Sequence, residues 1–251
     1  SFKPFKTTQL RPCLFEYIYF SRPDSILQGR NVYEVRKKIG EELATENSGD
    51  KNKIDIVVPI PDSGNASALG YSEKIQKPFE FGIIRNHYTG RTFIQDSTSI
   101  RHLSVKLKHN PNLSSFKNKN IALIDDSIVR GTTSIKIVEM LRNCGVKSIH
   151  LRIASPPVKF PCFYGIDTPT KEELLASKYS IEQIQDYIGV DSLSFISLDG
   201  VYRALGFKEG RNIENPAFTD HYFSGDYPVE LVDQKSGSFP SQLSLLIEAK
   251  K

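Results

Sequence analysis

Cysteine is scarce in this chain. Cys13, Cys144 and Cys162 are its three cysteines and none lies close to another, which argues against a disulfide framework. No apolar run approaches the length that crosses a bilayer, so no membrane span is expected. The opening residues, SFKPFKTTQLRPCLF, lack the continuous apolar core of a signal peptide, and the expected location is cytoplasmic. Internal repeats and low-complexity segments are absent. A strong charge imbalance is missing too: the formal net charge is +4 over 251 residues, which suits an anionic small ligand as well as nucleic acid. A hydrophobic share of 39% and a charged share of 25% belong to an ordinary globular protein, with length for one large α/β domain or two small ones.

The order of elements is informative. Val32, Val35, Ile39 and Leu43 recur at helical spacing until ATENSGDKNK breaks the pattern. IDIVVPIP (54–61) reads as a strand buried on both faces of a parallel sheet. A helix over 65–76 and a strand FEFGIIR over 79–85 follow, then a long polar stretch before the strand IALID. The helix after Gly131 places Ile135, Val138 and Leu141 on one face and ends near Asn143-Cys144-Gly145. SIHLRIAS is the next strand. This rhythm predicts an α/β fold, a parallel sheet with helices on both faces, whose ligands bind beyond the carboxyl ends of the strands. Beyond Pro156-Pro157, TPTKEELLAS predicts a helix capped by Thr170 with Glu173 at the capping-box position, and SIEQIQDYIG repeats the device with Ser180 and Gln183. LSFISLDGVYRALGF adds a strand and a helix, in a small C-terminal appended portion.

The string IALIDDSIVRGTTS (121–134) carries the chemistry. Asp125 and Asp126 fall where a strand meets the ligand-binding rim. Ser127 to Ser134 then supply backbone N–H groups, hydroxyls and a helix N-terminus, the parts of a phosphate cradle, and Gly131 lets the backbone approach an anion closely. The two carboxylates cannot serve that phosphate, because like charges repel; they suit sugar hydroxyls or a hard cation such as Mg²⁺. The plainer alternative is a helix cap at Asp126 and a solvated strand end at Asp125. PIPDSG (59–64) is a second turn at a strand's carboxyl end, on the same rim.

IALIDDSIVRGTTS resembles the phosphoribosylpyrophosphate (PRPP) motif of type I phosphoribosyltransferases, in the variant of the glutamine PRPP amidotransferases. FEYIYFSRPDS (15–25), VVPIPDSG (57–64), the NHYTGRTFI block and PCFYGIDTPT (161–170) resemble the synthase domain of that family, from about Arg11 to Pro228. The resemblance implies an N-terminal arm over 1–28, a core over 29–155 with a lid at about 86–118, an appended portion over 156–228 and a tail over 229–251. It implies that Ser127, Val129, Arg130, Gly131, Thr132, Thr133 and Ser134 hold the 5-phosphate. Asp125 and Asp126 would take the ribose hydroxyls and Mg²⁺, and Asp62 and Ser63 would form the pyrophosphate loop, Ser63 also touching the metal. Within the long basic stretch it implies a lid whose Arg91 and Lys108 reach the pyrophosphate, with Arg85 and Tyr88 near its hinge. Charge alone allows a solvated basic loop there. Only Tyr88 and Phe93 could stack on bases, so nucleic acid is not an expected partner.

The implied reaction joins ammonia to PRPP, giving 5-phosphoribosylamine and pyrophosphate, the first step of de novo purine synthesis. Other open readings are transfer to a nucleobase and a non-catalytic PRPP or nucleotide sensor. The resemblance also implies purine nucleotides as inhibitors, homo-oligomers and an N-terminal glutaminase domain or subunit, which is not recognised in this sequence. Some members bind a [4Fe–4S] cluster through four cysteines. Cys13 and Cys162 match two of those positions, but Thr219 and Tyr222 stand at the others, so no cluster is expected.

Overall fold

The structure, a computed structural model, describes residues 9–86, 109–166, 170–229 and 231. Its described strands are β1 (Ile26–Leu27), β2 (Arg30–Asn31), β3 (Ile56–Pro59), β4 (Ile83–Arg85), β5 (His109–Pro111), β6 (Asn120–Asp125), β7 (Ser148–Ile153) and β8 (Ser192–Phe195). The α-helices are α1 (Val32–Glu46), α2 (Asn65–Ile75), α3 (Leu113–Phe116), α4 (Thr132–Asn143), α5 (Leu175–Lys178), α6 (Ile181–Ile188), α7 (Leu198–Ala204) and α8 (His221–Ser224). The central sheet has four strands in the order β3-β6-β7-β8, all parallel. None of the described helices is long and apolar enough to cross a membrane.

Strand periodicity divides the core in two. Ala122 and Ile124 of β6 join Val57 in a cluster with α1, α2, α7 and the N-terminal arm. Ile121 and Leu123 face the other way, with Ile56, Val58 and the apolar residues of α4 and α6. The sheet is therefore covered on both faces, as the near-continuous apolar strands require.

Asn31 caps α1 by accepting from the Glu34 N–H, at 3.1 Å, a cap not read from the sequence. At α6 both bonds of the Ser180/Gln183 capping box form. The helix expected at 65–76 ends at Ile75, where Gln76 turns left-handed with φ 57°.

Two elements differ from expectation. The strand expected at 79–85 does not enter the central sheet. Phe79 makes a lone bridge to Val57, the chain turns at Gly82, and β4 pairs antiparallel with β5 in a separate ribbon. The Gly82 N–H donates back to the Glu80 carbonyl at 2.8 Å, and Gly82 lies against the buried Phe116 ring, where a Cβ would collide. Residues 109–118 of the expected lid are thereby anchored, through β5 and the fully buried Phe116. The helix expected to start at Thr170 is broken as well. Thr170 makes no side-chain cap, and a 3₁₀ turn over Lys171–Glu173 gives way to extended Leu174 (ψ 114°) before α5. The reason is burial: Leu174 enters one core cluster and Leu175 the other. Consecutive side chains reach opposite sides only from an extended backbone.

The portion after residue 156 contributes β8 to the central sheet through β7. The N-terminal arm is likewise tied in, since Leu14 N–H donates to the Thr219 carbonyl at 3.0 Å and Arg11 pairs with Asp226 at 3.1 Å. A buried ion pair, Asp50 with Arg152 of β7, closes through two bonds of 2.7 and 2.9 Å.

Helices α1 and α2 touch at their backbones. A Cβ at Gly40 would overlap the Ser67 carbonyl, and one at Gly70 the Lys37 carbonyl. Gly40→Ala is thus expected to lower stability by about 3 kcal/mol, and Tm by about 6–12 °C, in a thermal melt. An unchanged melt would show that the helices can separate freely.

Candidate active site

Strand β6 ends at Asp125, and Ala154 N–H donates to the Asp125 carbonyl at 2.8 Å. One strand over, Ile60 N–H donates to the Ile124 carbonyl at 2.8 Å, so the turn after β3 is stitched to the end of β6. Gly64 closes that turn, its N–H donating to the Ile60 carbonyl at 3.0 Å. A Cβ at Gly64 would sit 2.6 Å from the Ile124 carbonyl oxygen and 2.8 Å from that of Ile60. The Pro61-Asp62 peptide is cis. These contacts place Ser63 near Asp126, and its hydroxyl acts to hold the Asp126 pKa down. The Ser127 hydroxyl donates to the same carboxylate.

Both aspartates are buried, each 7% exposed. Burial raises the pKa of Asp125 well above the usual carboxylate range, and the neighbouring Asp126 charge raises it further. Asp126 is also raised by burial, opposed by the Ser127 and Ser63 hydroxyls and by Arg36. Arg36 is a buried cation of α1 whose guanidinium donates to the Tyr17 and Ser21 carbonyls, at 2.8 Å each. Burial lowers its own pKa while Asp126 acts to restore it. One arginine faces two acids, so the site has a deficit of positive charge.

That deficit and the donor set fit a magnesium ion. Two carboxylates and the Ser63 hydroxyl are hard oxygen donors, and Mg²⁺ completes its shell with water and substrate phosphate oxygens. Among the described residues, no three or more His, Cys, Asp or Glu side chains gather into a metal site of their own.

Beyond the acids, residues Ser127 to Ser134 and Asp125 line a cavity of about 220 Å³. Gly131 takes φ 74° and starts α4 with no side-chain cap, so the first amides of the helix face the cavity as donors to an anion. Thr132 and Thr133 are exposed beside it. Arg130 turns aside to pair with Glu173 at 2.6 Å, and Val129 presents its carbonyl to the Leu175 N–H at 2.9 Å. On the turn after β3, Asp62 pairs with Arg85 of β4, so both residues stand at this rim. Tyr88, Arg91 and Lys108 lie outside the described residues. Arg36, Glu173 and Leu175 were missed from sequence. A usable signal existed for Arg36, an arginine on the stripe Val32, Val35, Ile39, Leu43 of an otherwise apolar helix face. Glu173 and Leu175 follow the loop by more than forty residues, and no local pattern links them to it.

A parallel sheet with two acids at its rim, an open helix N-terminus and a second anion turn is the architecture of a phosphoribosyltransferase. Residues 24–154 match the phosphoribosyl transferase domain family, and the chain belongs to that family. It is 54% identical to the amidophosphoribosyltransferase of Rhizobium etli over 97% of this chain and 49% of that protein. It is 48% identical to the chloroplastic amidophosphoribosyltransferase 1 of Arabidopsis thaliana, over 90% of this chain and 38% of that one. Among solved structures, glutamine PRPP amidotransferase from B. subtilis, complexed with ADP and GMP, superimposes with a TM-score of 0.79 and 45% identity, covering 89% of this chain and 48% of that chain. The chain thus spans about half, or less, of the length of these relatives.

The residues at the iron–sulfur positions do not fit a four-thiolate cluster. The Cys13 thiol faces the Tyr222 hydroxyl at 2.7 Å, and that hydroxyl donates to the Thr219 carbonyl at 3.0 Å. Thr219 Oγ1 in turn donates to the Arg11 carbonyl at 2.7 Å. Burial raises the Cys13 pKa and so disfavours its thiolate. Phenol and hydroxyl thus tie the N-terminal arm to α8. Next to them His221, 1% exposed, is enclosed by Tyr164, Tyr222 and Tyr227, and neither ring nitrogen has a hydrogen-bond partner.

Two predictions follow from these charges. Asp125→Asn removes a buried charge that repels its neighbour but keeps the oxygen that accepts from Asp126 N–H. It should raise Tm by a few degrees at neutral pH, on the order of 1 kcal/mol, while weakening Mg²⁺–PRPP binding at least tenfold in calorimetry. A lower Tm with unchanged binding would refute this account of the pair. The second concerns His221, whose pKa burial lowers to about 4 from an ordinary 6.5, against Asp220, which raises it. The folded state therefore binds fewer protons than the unfolded chain across that window, and stability present above pH 6.5 drains away towards pH 4. Denaturant titrations should show a loss of about 2 kcal/mol from this group between neutral pH and pH 5, absent in His221→Phe. Equal acid sensitivity in both proteins would exclude it.

Proposed function

We propose that this chain is the synthase portion of an amidophosphoribosyltransferase. In that reading it joins ammonia to PRPP to give 5-phosphoribosylamine and pyrophosphate, the opening step of purine synthesis. The observation that carries the proposal is the meeting, at one strand rim, of the buried Asp125–Asp126 pair, the Ser63 turn and the uncapped N-terminus of α4. Each part has one use in PRPP. The helix N-terminus and the hydroxyls of Thr132, Thr133 and Ser134 take the 5-phosphate. The acids take the ribose 2- and 3-hydroxyls as hydrogen-bond acceptors. The Ser63 turn receives the pyrophosphate. Bound Mg²⁺, held by Asp125, Asp126 and Ser63, would neutralise charge that builds on the departing pyrophosphate.

The nitrogen lone pair of ammonia attacks C1 as the C1–O bond breaks. The bonding electrons leave with pyrophosphate, and the new ammonium group releases a proton to water. Ammonia needs no general base before attack, because its uncharged form already carries the lone pair. The protein's work is to orient the sugar, stabilise the leaving group and exclude water. Arg85 stands at the pyrophosphate turn through Asp62, and Arg91 and Lys108 are assigned to the same leaving group.

The relatives are about twice as long as this chain, and we assign the ammonia supply to a glutaminase domain or subunit. Purine nucleotides are assigned as competitors of PRPP, because a nucleotide 5′-phosphate asks for the same loop; the B. subtilis relative is a complex with ADP and GMP. Assembly into a homo-oligomer and a cytoplasmic location complete the proposal.

The test is release of pyrophosphate from PRPP and Mg²⁺ with ammonium salts. Release should depend on ammonium and climb with pH as ammonium converts to ammonia, then vanish in Asp126→Asn. Release that ignores ammonium but depends on an added nucleobase would favour base transfer instead. PRPP binding with no turnover under any condition would favour a sensor.

A further inference from the structure

The phosphate loop is not held by the strand and helix that flank it alone. A segment more than forty residues further along the chain meets it at three successive residues. Leu175 N–H donates to the Val129 carbonyl at 2.9 Å. Glu173 pairs with Arg130 at 2.6 Å. The Leu175 side chain fills the space behind Gly131, its Cδ2 only 2.9 Å from where a Cβ would stand, with the Tyr187 ring 3.7 Å away. The other end of the same helix is fastened to the same segment, because Arg142 donates to the Gly189 carbonyl at 3.1 Å and pairs with Asp191 at 2.7 Å. Leu175 is buried in the core cluster that holds Ile137, Val138 and Leu141 of α4. The interrupted helix described above is what makes this possible, since only an extended Leu174 lets Leu175 turn to the loop while Leu174 anchors in the opposite core.

We infer that residues 173–191 form a positioning clamp for the 5-phosphate loop, with Leu175 as its central positioning residue, acting through Val129 and Gly131 on the amides that meet the phosphate. The inference rests on the functional reading above, that this loop binds a 5-phosphate. Its physical basis is preorganisation: loop amides fixed before the ligand arrives lose less conformational freedom on binding. The clamp touches the phosphate loop and not the pyrophosphate turn, whose contacts run to Ile124, Asp126 and Arg85. Its loss should therefore be selective for one end of PRPP.

That selectivity is the test. Binding of ribose 5-phosphate and of magnesium pyrophosphate is measured separately by calorimetry, with PRPP as the full ligand. Leu175→Ala should weaken ribose 5-phosphate at least tenfold and leave magnesium pyrophosphate within twofold. Leu175→Val, which is expected to fold even if the alanine variant does not, should lose about fourfold, and Leu175→Met should restore affinity. Leu193→Ala, cut from the same core at β8, should lower Tm while binding both probes normally. Wild-type protein that binds neither probe nor PRPP would sink the functional reading and the clamp with it. Wild-type protein that binds ribose 5-phosphate no better than the folded Leu175→Ala and Leu175→Val variants would overturn the clamp alone. Equal loss for both probes, or equal loss in Leu193→Ala, would reduce Leu175 to general stability and also overturn it.

Discussion

Two neighbouring carboxylates are held out of water at the end of β6, with one arginine as nearby counter-charge. Such an arrangement opposes folding, since buried charge is unfavourable and like charges repel. Much of the surrounding structure can be understood as what makes it tolerable. Ser127 donates to Asp126, the nearby Ser63 hydroxyl also favours its charged form, the Asp126 amide donates to Asp125 at 2.9 Å, and Arg36 is itself buried and fixed by two carbonyls. In the proposed function, the stability given up here is what lets the site accept a cation and a diol, a common relation between active sites and their scaffolds.

The same economy explains the division of labour around the rim. Acids and helix-N-terminal amides sit side by side but suit opposite charges, so geometry must separate them. The exit from β6 divides them: Asp126 lies towards the Ser63 turn, Asp125 lines the cavity with residues 127–134, and the chain continues to Gly131, which opens the helix N-terminus. The pieces come from four places in the chain. β3 and β6 bring the two turns together by direct pairing, α1 delivers the arginine, and the segment after β7 supports the loop from outside.

Much of this was readable in the residues. The strands over 56–59 and 120–125 and the helices at 65 and 132 follow from apolar runs and glycine signals, and the string from Ile121 to Ser134 announced two acids at a strand end and a glycine turn into a helix N-terminus. The Ser180/Gln183 box formed as written. What could not be read was decided by contacts distant in sequence. Thr170 and Glu173 have the letters of a capping box, yet Glu173 is taken by Arg130 and the two leucines after it are drawn into opposite cores. FEFGIIR has the composition of a core strand, but it turns away at Gly82, packed against the Phe116 ring. Arg36 sits on the apolar stripe of α1, but what it faces emerges only when α1 is laid beside β6. Local patterns fix elements, whereas partners across the fold decide which of two locally reasonable conformations is taken.

The central claim is that the acids hold a metal and a ribose diol while the amides beyond Gly131 hold the terminal phosphate. A crystal grown with PRPP and Mn²⁺ in place of Mg²⁺ tests it most directly, through the anomalous scattering of manganese. The account predicts a manganese peak within bonding distance of Asp125, Asp126 or Ser63, and phosphate density against the backbone of residues 131–134. Full PRPP occupancy elsewhere on the protein, with no metal near these residues, would contradict it.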